Sequence, residues 1–268
     1  MSYKGLKTAG ALAVCVAALQ AAPAYSAMQT WDWSSSTTPF TGGDNFGNSV
    51  DMSVGGINLS VTGWSDTNDT TTPDSIETAK LNWQQSGASL GMENQDETTQ
   101  PPDHSIDSVS TDQSGGSRDG LLLTFDTAVT LDGLDLTWAV GAGTDMADIS
   151  ILAWDGTGSA GLAGQDWASI LDSNGGNYTS VGNYQGVGLS YYAIGTAVES
   201  TSWLIAAYNP VFGGGDPLLD FGDDGFKIDL VQTSTQGDLP PGEAPVPGSA
   251  PLLLLGLALL GRGVSNRR

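Results

Sequence analysis

Val50-Asp51-Met52-Ser53-Val54-Gly55-Gly56-Ile57-Asn58-Leu59-Ser60-Val61-Thr62 is the stretch that decides the fold. Apolar side chains occupy every second position, Val50, Met52 and Val54 before the glycine pair and Ile57, Leu59 and Val61 after it, with polar residues between. Period two marks a strand with one buried face, and a two-residue Gly-Gly connection between two such runs predicts a hairpin. The pattern recurs outward from there. Leu121, Leu123 and Phe125 share one strand face, and Leu134, Leu136, Trp138 and Val140 share another, with Asp132-Gly133 marking a turn or bulge. Phe226, Ile228 and Leu230 repeat it near residue 230, whereas a helical pattern surfaces only weakly, from Asp166 to Leu171. Residues 27–231 are therefore expected to form an all-β domain, and many strands separated by Gly-rich turns point to a β-sandwich or jelly roll.

Composition fits this reading and narrows the function. The 268 residues include 37 Gly, and the 8 Trp, 7 Tyr and 6 Phe within a 39% apolar content supply enough large side chains for a core. Eight Lys and Arg face 30 Asp and Glu, a formal net charge of −22, which excludes a nucleic-acid-binding surface. Lys4 and Lys7 lie at one extreme and Arg262, Arg267 and Arg268 at the other. Residues 8–261 thus hold only Lys80, Arg118 and Lys227 against all 30 acids, or 3 − 30 = −27.

The basic ends frame two address-like segments. Lys4 and Lys7 precede an apolar run from Ala9 to Leu19, and cleavage after Ser26 would put the small residues Ala24 and Ser26 where a signal peptidase reads them, so residues 1–26 are expected to be a signal peptide. The lone cysteine, Cys15, would leave with it, so the domain has to fold in an oxidising compartment without disulfides. A Pro- and Gly-containing linker, residues 232–245, leads to Val246-Pro247-Gly248-Ser249, an apolar run over 250–260, and the terminal arginines. Such a run makes a helix of roughly 16 Å, about half the ~30 Å hydrocarbon thickness. It is a short transmembrane helix that needs Arg262 to snorkel, and the positive-inside rule puts the acidic domain on the outer side.

Val246-Pro247, the short Leu/Gly/Ala helix and the arginine cluster together resemble the C-terminal sorting signal of PEP-CTERM-type proteins, substrates of membrane peptidases called exosortases in Gram-negative bacteria. Gly248 and Ser249 stand where the commonest form of that signal has Glu and Pro. The segments 120–126, 131–138, 148–154, 203–209 and 224–228 resemble, in order, blocks of an exosortase-dependent surface protein family. The resemblance implies a transient inner-membrane intermediate, signal peptidase and exosortase as partners during export, removal of the tail within residues 246–268, and delivery to the cell surface or extracellular matrix. It implies no enzymatic activity. Two alternatives stay open: a membrane-anchored surface protein with an uncleaved tail, and a carbohydrate-binding module of the extracellular polysaccharide matrix.

Little chemistry stands out in the middle. With His104 the only histidine and Cys15 in the signal, Ser-His-Asp and Cys-His catalysis and the usual zinc sites are excluded, and no catalytic residue or organic cofactor is expected. Asp216, Asp220, Asp223 and Asp224 are interleaved with glycines; hard oxygen ligands on a flexible loop suit calcium, and the same residues also suit a solvated turn before Phe226. Trp64, in phase with Ser60 and Thr62, falls on the polar side of its strand, where an aromatic face could stack on a sugar ring. Trp138, in phase with Leu136, is expected in the core. Residues 65–75 and 93–119 lack large apolar side chains and read as exposed loops; the first contains Asn68 within Asp66-Thr67-Asn68-Asp69-Thr70, an acceptor pattern for glycosylation.

Overall fold

The predicted hairpin is present. Ser49–Val54 and Ile57–Asp66 pair antiparallel with Val54 opposite Ile57, and Gly55 and Gly56 make the turn at φ 60° and 85°. Positive φ at both positions is what a tight type I′ connection needs, and only glycine adopts it without cost. The computed structural model describes residues 27–34, 39–66, 75–83, 89–95, 104–108, 117–141, 145–158, 160–213, 218–219 and 222–235. Its strands are β1 (Ala27–Asp32), β2 (Ser49–Val54), β3 (Ile57–Asp66), β4 (Ile76–Thr78), β5 (Lys80–Trp83), β6 (Leu90–Glu93), β7 (Ile106–Asp107), β8 (Asp119–Val140), β9 (Ala147–Trp154), β10 (Tyr178–Val187), β11 (Tyr192–Ala193), β12 (Glu199–Ala207) and β13 (Gly225–Thr235). They form one antiparallel sheet in the order β10-β9-β12-β8-β13-β6-β5. Off this path β3 joins β8 and carries β2 and β4, β1 and β7 join β13, and β11 joins β8. The all-β expectation holds.

The long strand β8 organises this sheet. Residues 119–125 pair with β3 and residues 130–140 with β13. Between them Asp126, Thr127 and Ala128 are exposed, and the register with β12 jumps from Ser200 opposite Val129 to Ser202 opposite Thr124, so the strand turns a corner. Asp126 braces that corner by accepting the Asn58 main-chain N–H at 3.0 Å and its Nδ2 at 2.6 Å. These bonds hold its carboxyl below its ordinary pKa. Inward residues from both arms, Leu121, Leu123 and Phe125 on one and Leu131, Leu134 and Leu136 on the other, join a single apolar cluster with Val61, Ile151, Trp203, Phe226 and Ile228.

Bulges explain where simple alternation misplaces side chains. Asp132 is an extra residue between Gly133 opposite Gln232 and Leu131 opposite Thr233, so Asp132-Gly133 is a bulge and not a turn. Thr137 and Asp229 are extra residues too, because Trp138 lies opposite Lys227, Leu136 opposite Ile228 and Asp135 opposite Leu230. Each insertion flips the face presented by the next residues of the strand. The core therefore takes Ala139 and Val231, while the expected Trp138 and Leu230 are only half-buried and the Lys227 ammonium sits 5.2 Å from the Trp138 ring centroid.

The opposite face of the first arm is also covered. Leu122, Leu152, Leu204 and Ala206 contact Ile76, Leu162, Trp167, Ile170, Tyr178 and Phe212 in a second apolar layer. The helical expectation for residues 166–171 fails, since so short a segment cannot offset the cost of helix nucleation. Instead the Asp166 carboxylate accepts the amides of Ala168 and Ser169 at 2.9 and 2.8 Å, closing a single turn before a 3₁₀ turn at Asp172–Asn174.

At its end the sheet outruns the predicted domain boundary at 231 and enters the predicted linker, because β13 continues to Thr235. Residues 232–235 have no apolar side chain, yet all pair with β1, with Ala27 opposite Thr235. Thr233 is fully buried because its hydroxyl accepts the Trp31 indole N–H at 2.9 Å. The first and last residues of the sheet are therefore neighbours.

Candidate functional site

The described residues of the two stretches expected to be exposed loops are largely buried. Ser65, Asp66, Asn94, Ser105, Asp107, Ser108, Ser117 and Asp119 are all inside. Backbone pairing and not apolar side chains takes them there: β3 runs on to Asp66, β7 pairs with Gly225 and Phe226, and β8 begins at Asp119. Asp66 accepts the Arg118 main-chain N–H, and its other oxygen lies 3.2 Å from the Arg118 guanidinium. Burial outweighs the Arg118 amide and charge and lifts the Asp66 carboxyl from 3.8 to about 6.

Next to it Asp107 and Asp119 approach each other. The Asp107 N–H donates to Asp119 Oδ2 at 3.4 Å, Asn94 Nδ2 donates to Asp119 Oδ1 at 3.4 Å, and Ser105 Oγ donates to Asp107 Oδ2 at 2.7 Å. Glu93 receives the Lys80 ammonium at 2.6 Å, with His104 Nδ1 3.7 Å away, and Lys80 also reaches Asp44 at 3.5 Å. His104 is half-buried with a φ of 68°, and its carbonyl oxygen packs against Gly91, where a Cβ would lie only 2.1 Å away. This histidine braces a loop.

Of the residues singled out from sequence, Ala24, Ser26, Val246, Pro247, Gly248, Arg262, Arg267, Arg268, Asp216, Asp220 and Asn68 lie outside the described residues. Asp223 is half-buried and Asp224 buried. Asp224 does not fit a solvated turn: its Oδ1 accepts the Asp148 N–H at 2.6 Å and its carbonyl accepts the Ser108 N–H at 2.9 Å. It ties the start of β9 to the end of β7. Sequence reasoning missed Asp148 because nothing in a strand-leading aspartate reveals a partner so distant along the chain. Among the described residues no three His, Cys, Asp or Glu side chains are placed to hold a metal ion, and no helix is long and apolar enough to cross a membrane.

Trp64 is half-buried against the second apolar layer, with its indole N–H on Thr62 Oγ1 at 2.9 Å. Trp31, Trp33, Trp167 and Trp203 are buried, while Trp64, Trp83, Trp138 and Trp154 are half-buried. A sugar-stacking strip needs an open ring face, and none of the eight tryptophans is an exposed residue. A shallow groove of about 610 Å³ runs over β2, β3 and β8, lined by Asp51, Met52, Ser53, Asn58, Leu59, Ser60, Thr124, Phe125 and Asp126, and most of its lining is apolar. Compared with family models, with curated proteins and with solved structures, the chain matches none.

Proposed function

We propose that this is an exported, exosortase-processed protein of the cell surface or extracellular matrix, whose folded part is a non-catalytic acidic β-sandwich. The observation that carries the reading is a coincidence of boundaries. The described strands run from Ala27, the residue after the expected signal cleavage, to Thr235, eleven residues before the Val246-Pro247 motif that opens the expected sorting signal. In the sequence the two expected addresses, residues 1–26 and 246–268, thus lie on either side of the described strands. The sandwich assignment is supported by the corner in β8 and by the single apolar cluster shared by its two arms. A structural, non-enzymatic role is supported by the use of the lone histidine as a brace beside Glu93 and of the buried Asp66 in an ion pair with Arg118.

Intact mass spectrometry of the protein from cells and from medium tests the reading. Released material should start at Ala27 and lack the residues through Arg268. Released protein that still carries the full tail would overturn exosortase processing and leave an anchored or simply secreted protein.

A further inference from the structure

The end of the sheet at β10 departs from the rest of the sequence in charge. Residues 173–198 contain no Asp, Glu, Lys or Arg, the longest such run between Ala27 and Thr235 in a chain with 30 acids. Charge-free stretches are ordinary inside a protein, but here only Tyr178, Val187 and Ile194 are buried, so the run lies at the surface. Exposed acids stand at its margins: Asp172 and Glu199 bound it in sequence, and Asp145 adjoins Met146 beside it.

The same surface gathers apolar side chains. Five of the eight exposed large apolar residues among those described lie in the run or against it: Leu189, Tyr191 and Val198 within, Met146 and Leu218 beside it. Met146 Sδ is 3.5 Å from where a Cβ on Gly186 would lie, and the Leu218 carbonyl accepts Gln185 Nε2 at 2.5 Å, so both meet the end of β10. A cluster of exposed apolar side chains with a polar rim marks an interaction surface.

The strand is also an edge. β10 pairs with β9 alone and stands last in the strand order. Ile170 takes the Tyr178 N–H at 2.9 Å, and among the described residues no main-chain hydrogen bond is made on the far side of residues 179–187. Soluble proteins guard such an edge with charged side chains, and β10 has none.

We propose that β10 and the uncharged surface beside it join two copies of this chain, strand edge against strand edge across a two-fold axis. Two chains that each carry −27 over residues 8–261 repel wherever acids face acids, and an isologous contact sets the uncharged run against itself. A cationic partner would gain more from the acidic remainder of the surface than from this run. The bulges leave residues 178–180 and 182–184 as two short regular stretches, so backbone pairing is brief and the apolar side chains at the strand's end supply the rest of the contact. Such an interface is small, which puts its dissociation constant in the micromolar range and leaves dilute protein monomeric.

The test is sedimentation equilibrium of the full-length chain over a range of concentrations, with hydrogen exchange read in parallel. The parent should pass from monomer to dimer and stop there, and the amides of residues 179–187 should exchange more slowly as concentration rises. Screening of the marginal acids should tighten the dimer roughly threefold or more between about 0.05 and about 0.5 M NaCl. Ser180→Asp and Leu189→Asp, both at exposed residues, put like charges on the two sides of the contact and should each weaken it about tenfold. Ser53→Asp, the same charge on an exposed residue of the edge strand β2, should leave the dimer intact. Association through the apolar runs near the chain ends would ignore all three substitutions. A parent that stays monomeric, a dimer untouched by Ser180→Asp and Leu189→Asp, equal weakening by Ser53→Asp, or protection confined to other strands would each overturn the proposal. So would a monomeric parent that binds a neutral polysaccharide such as dextran through the same residues.

Discussion

Thr233→Val should destabilise the protein out of proportion to the single atom it changes. Thr233 lies in the polar stretch that closes the sheet, and its hydroxyl is the acceptor for the Trp31 indole N–H at 2.9 Å. Trp31 is fully buried, with its ring in edge contact with Phe125 at a centroid distance of 5.4 Å. Valine keeps the shape of threonine and offers no acceptor, so the substitution strands a buried N–H. The penalty for that is about 1–3 kcal/mol, and the gain from burying a methyl in place of a hydroxyl offsets a part of it. A net loss of about 1–2 kcal/mol corresponds to roughly 2–8 °C in the melting temperature of a domain this size. Trp31→Phe strands the hydroxyl instead and also loses ring volume. The double variant Trp31→Phe with Thr233→Val strands neither group, so its cost should fall short of the sum of the single costs by about 1 kcal/mol. Urea unfolding followed by tryptophan fluorescence, with thermal melts by circular dichroism, measures all four corners of the cycle. A Thr233→Val protein that melts within 1 °C of the parent, or a strictly additive cycle, would refute the claim that this bond fastens the last strand to the first.

Other residues make independent tests. Burial raises Asp66 from 3.8 to about 6, so the folded state holds its proton more tightly than the unfolded chain, and stability from this group is present at low pH and lost as pH rises through about 4 to 6. Melting temperature should therefore fall across that window by the equivalent of about 3 kcal/mol, and Asp66→Asn should flatten the fall. Gly91→Ala would drive a Cβ to 2.1 Å from the His104 carbonyl oxygen; we expect a loss of at least about 3 kcal/mol, read as a large drop in urea midpoint. Leu204→Ala, in the second apolar layer, should cost about 2–5 kcal/mol, whereas Leu189→Ala, at a side chain 50% exposed, should stay within about 0.5 kcal/mol of the parent in the same assay.

Local rules sufficed wherever an element was regular. Alternation about Gly55-Gly56 gave both strands of the hairpin and its turn, because side-chain period and turn chemistry agree there. Alternation failed at Trp138 and Leu230 for a physical reason: one inserted residue reverses the face, and Thr137 and Asp229 carry no composition cue that distinguishes them from ordinary strand positions. The second apolar layer was legible in principle. Leu121-Leu122-Leu123 and Trp203-Leu204-Ile205-Ala206-Ala207 are continuous apolar runs, the mark of strands buried on both faces. Polar burial was the least legible feature. Ser65, Asp107, Ser117 and Asp119 have the composition of a loop and are inside because strand pairing continues through or beside them, which no local window records.

The corner in β8 also fixes what lies at each end of the sheet. Thr130 is opposite Ser234, so the paired residues Ala27 and Thr235, where the chain enters and leaves the sheet, lie at the corner end. Val140 is opposite Gly225, Gly225 is opposite Asp107, and the Asp107 N–H reaches Asp119, so the two far ends of β8 come together at the buried polar cluster. About ten regular strand positions separate the two ends, or roughly 30–35 Å at the usual rise per residue. β13 pairs with β1 at one end and with β7 at the other. That places β13, the last of the described strands, as the element on which both closure of the sheet and completion of the polar cluster depend.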